Sequence, residues 1–157
     1  MKFRDFVCFE ATITDLQATG RDDVITQLVA SLDKAGRLKK GTCRDIAREV
    51  IKRENEASTG LGKGVAVPHI KHKAVKNVIA TIGQSSAGID FLALDKQLVY
   101  SVILLISPTD DPDKHLQAME SIFKHLQLER FRKFLRQCRS AQQVEELLNE
   151  ADEDPYL

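Results

Sequence analysis

The spacing of apolar residues divides the chain into helical and extended segments. Apolar residues recur every three or four positions in two early segments, which predicts amphipathic helices over residues 21–36 and 42–54. Thr42 and Asp45 have the spacing of a capping box at the start of the second helix. Residues 1–20 show no such period and are expected to be extended.

Two apolar runs rich in β-branched residues predict buried strands. They span Val75–Gly83 and Leu98–Ile106 and are nearly continuous rather than alternating, a pattern typical of strands that helices cover on both faces. Val65–Val67 is a shorter candidate that ends at Pro68. Residues 87–91, between the two long runs, are expected to form a turn with a short extended piece.

The C-terminal third of the chain returns to helical spacing. After a loop over residues 108–112, in which an aspartate can cap the next helix, one apolar face is predicted from Leu116, Met119, Ile122, Phe123 and Leu126. Phe131, Phe134 and Leu135 mark a shorter helix, and Ser140 with Gln143 forms a capping box for the last one. The acidic end, residues 150–157, is expected to fray.

Length and composition fit one α/β domain over residues 1–157, with helices around a small mixed sheet. Lys and Arg number 23 and Asp and Glu also number 23, which argues against a nucleic-acid partner held by bulk charge. No apolar stretch approaches the roughly 20 residues that span a bilayer, and no signal peptide is recognised. We therefore expect a cytoplasmic protein without membrane insertion, and its three separated cysteines are expected to be reduced.

Among the four histidines, His69 has the most unusual setting. It follows a glycine-rich segment, residues 60–64, and comes directly after Pro68. Glycines let backbone N–H groups turn towards an anion, and a neutral imidazole is a competent nucleophile for phosphoryl groups. On these residues alone, a histidine with a purely structural role remains the favoured alternative.

A longer sequence pattern around His69 favours a catalytic role for this histidine over a structural one. Arg53 and Glu54, followed by the segment from Ser58 to His69, resemble the active-site signature of the fructose/mannitol-type enzyme IIA domain of the bacterial phosphoenolpyruvate-dependent sugar phosphotransferase system. The nitrogen-related regulatory IIA proteins belong to the same family. The resemblance spans nearly the whole chain, because it continues through Gly88–Phe91, Ala93–Asp95, the helix beginning at His115, and Ser140–Leu147.

The resemblance implies an enzyme IIA type-2-like fold and a role for each matched residue. His69 would accept a phosphoryl group on Nε2 from the phosphohistidine of the carrier protein HPr. Arg53 would neutralise the phosphoryl oxygens, and His115 would lie beside the nucleophile. The scheme requires no metal and no cofactor. Donors from the glycine-rich loop would help to bind the phosphate: Ser58, Thr59, Gly62 and Gly64.

Several residues depart from the family pattern or allow other interpretations. Ile70 replaces the glycine that usually follows the nucleophile, so the local backbone and the fit of the partner are expected to differ. Lys63 is expected to add positive charge near the phosphate. His72 forms an HxxH pair with His69, but no third metal ligand is evident, and His72 is expected at the solvent-facing rim. The basic stretch 130–139 is interpreted as a solvated helix face.

Three functions follow from this pattern. The first is a phosphoryl carrier that passes the group from HPr to an enzyme IIB domain in sugar uptake. The second is a stand-alone regulatory phosphoprotein of the nitrogen-related type, which binds a target protein according to its phosphorylation. The third is a degenerate binding module, which the joint presence of His69, Arg53 and His115 disfavours.

Overall fold

The computed structural model describes residues 1–157 as one α/β domain. Six α-helices surround the sheet: α1 (Phe3–Phe6), α2 (Arg21–Lys34), α3 (Cys43–Glu56), α4 (Pro112–Leu126), α5 (Glu129–Gln137) and α6 (Ala141–Glu153). A short 3₁₀ turn follows α1 at Phe9–Ala11. The five strands are β1 (Gly60–Gly62), β2 (Val65–Ala66), β3 (His69–Lys71), β4 (Ile79–Ile89) and β5 (Val99–Ser107).

Strand β5 is the centre of a mixed sheet. β4 pairs with one edge of β5 in antiparallel orientation, while β2 and β3 pair in parallel along the other edge. β2 starts opposite Ser101 and β3 starts opposite Leu105. Pro68 separates these two short strands because it has no N–H, yet its carbonyl accepts from the Leu105 N–H at 3.0 Å. β2 and β3 therefore follow the same edge of β5 in turn, which brings His69 near the carboxyl end of the sheet.

Helices cover both faces of β5, as its continuous apolar run predicts. Val102, Leu104 and Ile106 pack into the cluster formed with α2 and α3, whereas Ile103 and Leu105 pack with α1 and α4 to α6. Burial of such side chains contributes about 1.5–3 kcal/mol each. The predicted α/β class is confirmed. The three cysteines are unpaired, and no helix combines the length and apolarity that a bilayer crossing requires.

The first residues differ from the predicted extended segment. Phe3 and Phe6 lie three positions apart, so a helical turn places both rings on one face, where they are buried. On either side of the 3₁₀ turn, Val7 and Ile13 form single parallel bridges with β4. Local packing of two phenylalanines thus gives a helical turn that apolar periodicity over four residues could not reveal.

Residues 150–157, which the sequence predicts to fray, pack against the N-terminus. The Asp152 carboxylate accepts from the backbone N–H groups of Phe3 and Arg4 at 2.6 and 3.1 Å. Leu157, the last residue, is buried. The two chain ends therefore hold each other, a contact between residues far apart in the sequence.

Other elements also differ from the predicted ones in their boundaries or in the burial of their side chains. β4 starts at Ile79 rather than Val75, and it continues past an irregularity after Gln84 through much of the predicted turn. Leu116 and Phe134, predicted on apolar faces, are exposed.

Of the predicted helix caps, the one at α3 is absent and those at α4 and α6 form. At the start of α3 the capping box does not form, because the Thr42 hydroxyl donates to the Lys39 carbonyl at 2.6 Å and the Asp45 carboxylate has another partner. The side chain of Asp111 caps α4, and that of Ser140 caps α6, as predicted.

Candidate functional site

A cleft of about 480 Å³ opens near the carboxyl ends of the parallel strands β3 and β5. Ligand sites of open α/β sheets commonly lie at this edge. The walls come from the last turns of α3, from β3 and from the first turn of α4. They are lined by Glu49, Lys52, Arg53, Glu56, His69, Ile70, Lys71 and His115. The three residues predicted to act in catalysis are therefore together in one cleft.

His69 is half-buried, and its ring is fixed by the backbone just before it. Nδ1 lies 2.7 Å from the carbonyl oxygen of Val67. Because a carbonyl can only accept, Nδ1 carries the hydrogen and donates it, and in the neutral ring Nε2 keeps its lone pair. The intervening Pro68 restricts the backbone between donor and acceptor. His69 thus presents an unprotonated nitrogen of the kind that attacks phosphorus.

His115 is the second histidine of the cleft. Its ring centroid lies 5.8 Å from that of His69, at an interplanar angle of 41°. Its Nδ1 lies 2.6 Å from the hydroxyl oxygen of Ser107, the last residue of β5. Burial lowers the pKa of His115, and the neighbouring His69 and Lys71 lower it further. These effects favour the neutral form of His115.

Arg53 stands in the last turn of α3, where its Nη1 donates to the carbonyl of Ala57 at 2.8 Å. A guanidinium has five N–H donors in a planar fork, so donors remain for an anion in the cleft. The cleft has an excess of cationic over carboxylate side chains, since its charged residues are Lys52, Arg53, Lys71, Glu49 and Glu56. Sequence analysis did not single out Lys52, Glu49 or Glu56.

The two hydroxyls predicted to bind phosphate have partners inside the loop. The Ser58 hydroxyl donates to the carbonyl of Phe91 at 2.5 Å and accepts from the Gly60 N–H at 3.0 Å. The hydroxyl of Thr59 is buried and donates to the carboxylate of Glu54. Neither residue lines the cleft, so both hydroxyls stabilise the loop rather than face His69.

The loop glycines also lie outside the cleft wall. Gly62 and Gly64 have φ values of +93° and +81°, a region that favours glycine. A Cβ on Gly62 would meet the carboxylate of Asp95 at 3.1 Å, and one on Gly64 would meet the Tyr100 ring at 3.3 Å. Their role here is to let the loop turn and pack. Lys63, between them, does not line the cleft either, contrary to its expected place near the phosphate.

A hydrogen-bonded series connects α3 with His69 through this loop. The buried carboxylate of Glu54, 2% exposed, accepts from both the N–H and the hydroxyl of Thr59. The Thr59 carbonyl accepts from the Val67 N–H at 3.2 Å, and the Val67 carbonyl accepts from His69. Glu54 therefore anchors the segment that orients the nucleophile, a role that the sequence did not indicate.

Replacing Glu54 by Ala is expected to lower the free energy of unfolding by about 2–4 kcal/mol, because two buried donors of Thr59 lose their acceptor. Urea denaturation measures this change. The matched control is Glu56→Ala, an exposed glutamate on the same helix, which is expected to change stability by less than about 0.5 kcal/mol. Equal losses in the two variants would contradict the anchoring role.

Ile70 is accommodated without strain. It lies in β3 opposite Ile106, its side chain packs against the core below, and its φ is not positive. A positive φ, which would strain a β-branched residue, is therefore avoided at this position. Because Ile70 is the one apolar side chain in the cleft wall, it changes the surface that a partner meets rather than the path of the chain.

His72 is buried, at 5% exposure, and does not lie at the solvent-facing rim as predicted. Its Nδ1 accepts from the Ala74 N–H at 2.9 Å, so its hydrogen is on Nε2. Nε2 lies 2.7 Å from Asp45 and 3.2 Å from Glu49, both on α3, and the hydrogen bond lowers the pKa of Asp45. His72 thus ties the end of β3 to α3, while His69 turns to other partners, and the HxxH pair does not converge on one site.

Fold and cleft together define a small α/β domain in which a histidine, flanked by a second histidine and an arginine, can hold a phosphoryl group. Residues 7–151 match the family described as phosphoenolpyruvate-dependent sugar phosphotransferase system, EIIA 2. The chain belongs to this family and is a phosphocarrier component of a phosphotransferase system.

Relatives of both functional types are similar to the chain. It is 30% identical over 153 residues to the fructose-specific EIIABC component of Bacillus subtilis (strain 168), covering 97% of this chain and 24% of that protein. It is also 30% identical over 148 residues to a nitrogen regulatory protein of Bradyrhizobium diazoefficiens, covering 94% of this chain and 95% of that protein. The chain thus spans about a quarter of the first relative and nearly all of the second.

Solved structures share the fold. The nitrogen regulatory protein IIA-Ntr from Neisseria meningitidis superposes with a TM-score of 0.83 at 22% identity, covering 92% of this chain and 97% of that chain. The Escherichia coli mannitol enzyme IIA, solved in complex with phosphorylated enzyme IIB, gives 0.74 at 22% identity, with 90% and 95% covered. The solved structures establish the fold, and neither they nor the relatives separate sugar uptake from regulation.

Proposed function

We propose that this chain accepts a phosphoryl group from phospho-HPr on Nε2 of His69 and passes it to an enzyme IIB domain in sugar uptake of the fructose/mannitol type. The observation that carries the proposal is the 2.7 Å contact between His69 Nδ1 and the Val67 carbonyl, which assigns the hydrogen of the neutral ring to Nδ1 and the lone pair to Nε2. That nitrogen belongs to a cleft that also holds Arg53 and His115.

The transfer balances without net movement of a proton. The lone pair of His69 Nε2 forms the new N–P bond while the N–P bond of phospho-HPr breaks, and the donor imidazole leaves with the electron pair. His69 keeps its hydrogen on Nδ1, bonded to Val67. Both the bond formed and the bond broken are N–P bonds, so the step is nearly reversible and the next acceptor sets its direction.

Stabilisation of the moving charge falls to the side chains around His69. The phosphoryl group carries negative charge on its oxygens, and donors fixed in advance lower the barrier most effectively. Arg53 offers guanidinium N–H groups, and the half-buried His115 offers a further donor. Lys52 and Lys71 add positive charge at the cleft wall.

An enzyme IIB acceptor is supported by the mannitol relative, whose structure was solved in complex with phosphorylated enzyme IIB. A second function, regulation of a target protein by the phosphorylation state of His69, is favoured by one observation. The nitrogen regulatory protein of Bradyrhizobium diazoefficiens is as similar to this chain, at 30% identity, as the fructose-specific relative is.

Labelled phosphoenolpyruvate, enzyme I and HPr provide the test. The chain is expected to take up one acid-labile, base-stable phosphoryl group, which a fructose- or mannitol-type enzyme IIB then removes. Uptake without transfer to either type of enzyme IIB would favour the regulatory function. Absence of any uptake would contradict the carrier proposal itself.

A further inference from the structure

We propose that Ser107 holds the hydrogen of His115 on Nε2, and that this makes His115 a hydrogen-bond donor and leaves His69 as the phosphoryl acceptor. Ser107 is a positioning residue in this scheme, since it acts through His115. The inference rests on the proposed function for the identity of the reaction, but the state of the His115 ring can be measured without it.

The geometry around Ser107 allows one hydrogen-bond arrangement. Ser107 is completely buried, at 0% exposure, and its hydroxyl has a single hydrogen-bond partner, Nδ1 of His115 at 2.6 Å. Buried donors are almost always paired, and this imidazole nitrogen is the acceptor within reach. The hydroxyl therefore donates to Nδ1. A nitrogen that accepts carries no hydrogen, so the single hydrogen of the neutral His115 ring is on Nε2.

The two histidines of the cleft thus have opposite tautomers. The partner of His69 Nδ1 is a carbonyl, which accepts, whereas the partner of His115 Nδ1 is a hydroxyl, which donates. His69 therefore has a free lone pair on Nε2, and His115 has an N–H at the same ring position. An N–H nitrogen of a neutral imidazole has no lone pair for attack on phosphorus, but it can donate to a phosphoryl oxygen.

Two further contacts keep this arrangement in place. The Ser107 carbonyl accepts from the backbone N–H of His72 at 2.8 Å, and the His72 ring is held by Asp45 and Glu49 of α3. The backbone of Ser107 at the end of β5 is therefore held by the residue that follows β3. Burial and the neighbouring His69 and Lys71 also lower the pKa of His115, which favours the neutral ring, the form that has two tautomers.

Long-range ¹H–¹⁵N spectra of the histidine rings test the proposal on the wild-type protein at neutral pH. The expected result is a His115 ring with hydrogen on Nε2 and an unprotonated Nδ1, beside a His69 ring of the opposite tautomer. A His115 ring with hydrogen on Nδ1 would overturn the proposal. This measurement uses the wild-type protein alone, so it decides the tautomer even if a substitution at Ser107 prevents folding.

Variants then connect the tautomer to the reaction. In Ser107→Ala, we expect a mixture of His115 tautomers and about tenfold slower uptake from phospho-HPr, the size of one lost hydrogen bond. Ser107→Thr keeps the hydroxyl and is expected to restore both the spectrum and the rate. Unchanged spectrum and rate in Ser107→Ala would contradict the proposal.

Ser101 is the matched control on the same strand. It is buried as well, at 2% exposure, and its hydroxyl donates to the side chain of Gln84 at 2.7 Å. At about 3.3 Å per residue, it lies about 20 Å from Ser107 along β5. Ser101→Ala is expected to leave the His115 tautomer and the uptake rate unchanged. If Ser101→Ala altered both as Ser107→Ala does, the change would reflect loss of any buried hydroxyl on β5, and the specific role of Ser107 would be contradicted.

If the wild type takes up no phosphoryl group, the proposed function fails, while the ring spectra still decide whether Ser107 sets the His115 tautomer.

Discussion

His69→Ala is expected to take up no phosphoryl group from phospho-HPr, whereas His115→Ala keeps uptake at a rate about 10²-fold lower. The difference follows from the ring partners, because of the two histidines in the cleft only His69 has a carbonyl on Nδ1, which leaves the lone pair of its neutral ring on Nε2. Loss of His115 removes one donor to the phosphoryl group, and removal of one such donor slows a reaction by about 10²–10³-fold.

Acid-labile label measured over time in the two variants distinguishes the roles. Circular dichroism confirms that both variants are folded, and each serves as the control for the other, because both remove one imidazole from the same cleft. Uptake by His69→Ala at the wild-type level would exclude His69 as the acceptor. Complete loss in both variants would contradict the division of roles between them.

Arg53→Ala is expected to slow phosphoryl uptake by about 10²-fold or more while changing thermal stability little. The guanidinium is half-exposed, and its structural contribution is a single bond to the Ala57 carbonyl. Its larger effect arises in transfer, when charge on the phosphoryl oxygens needs fixed donors in a partly enclosed cleft. Arg53→Lys is expected to recover part of the rate only, because an ammonium lacks the planar fork.

Single-turnover rates and melting temperatures separate the two contributions. Lys52→Ala is the matched control, since Lys52 precedes Arg53 on α3 and lines the same cleft. That control is expected to slow uptake by about tenfold or less, as an exposed charge in water contributes modestly. A large fall in melting temperature with an unchanged transfer rate in Arg53→Ala would show that the arginine is structural.

The elements that the sequence predicted well are those with a local signal. The period of α2 and the continuous apolar run of β5 depend on neighbouring residues, and both elements form where expected. The histidine, the arginine and the second histidine also come together as the family resemblance implied. The short strands β2 and β3 depend instead on pairing with β5, and a local sequence pattern does not reveal this pairing.

The parts of the site that were not predicted depend on distant partners. The Ser58 hydroxyl was expected to bind phosphate, but its acceptor is the Phe91 carbonyl, 33 residues later. His72 is buried because Asp45, 27 residues earlier, accepts from its ring. Ser107 simply ends an apolar run in the sequence, and its importance arises from the placement of His115 beside it. Hydrogen-bond partners of this kind are decided by tertiary packing.

Phosphorylation on Nε2 of His69 is the step on which the proposed function depends. It is tested most directly by ³¹P and ¹⁵N NMR of the ¹⁵N-labelled wild-type protein after incubation with phosphoenolpyruvate, enzyme I and HPr. We expect one phosphorus atom coupled to Nε2 of His69, with hydrogen retained on Nδ1. Phosphorus on Nδ1 of His69, phosphorus on His115, or no phosphorylation at all would contradict it.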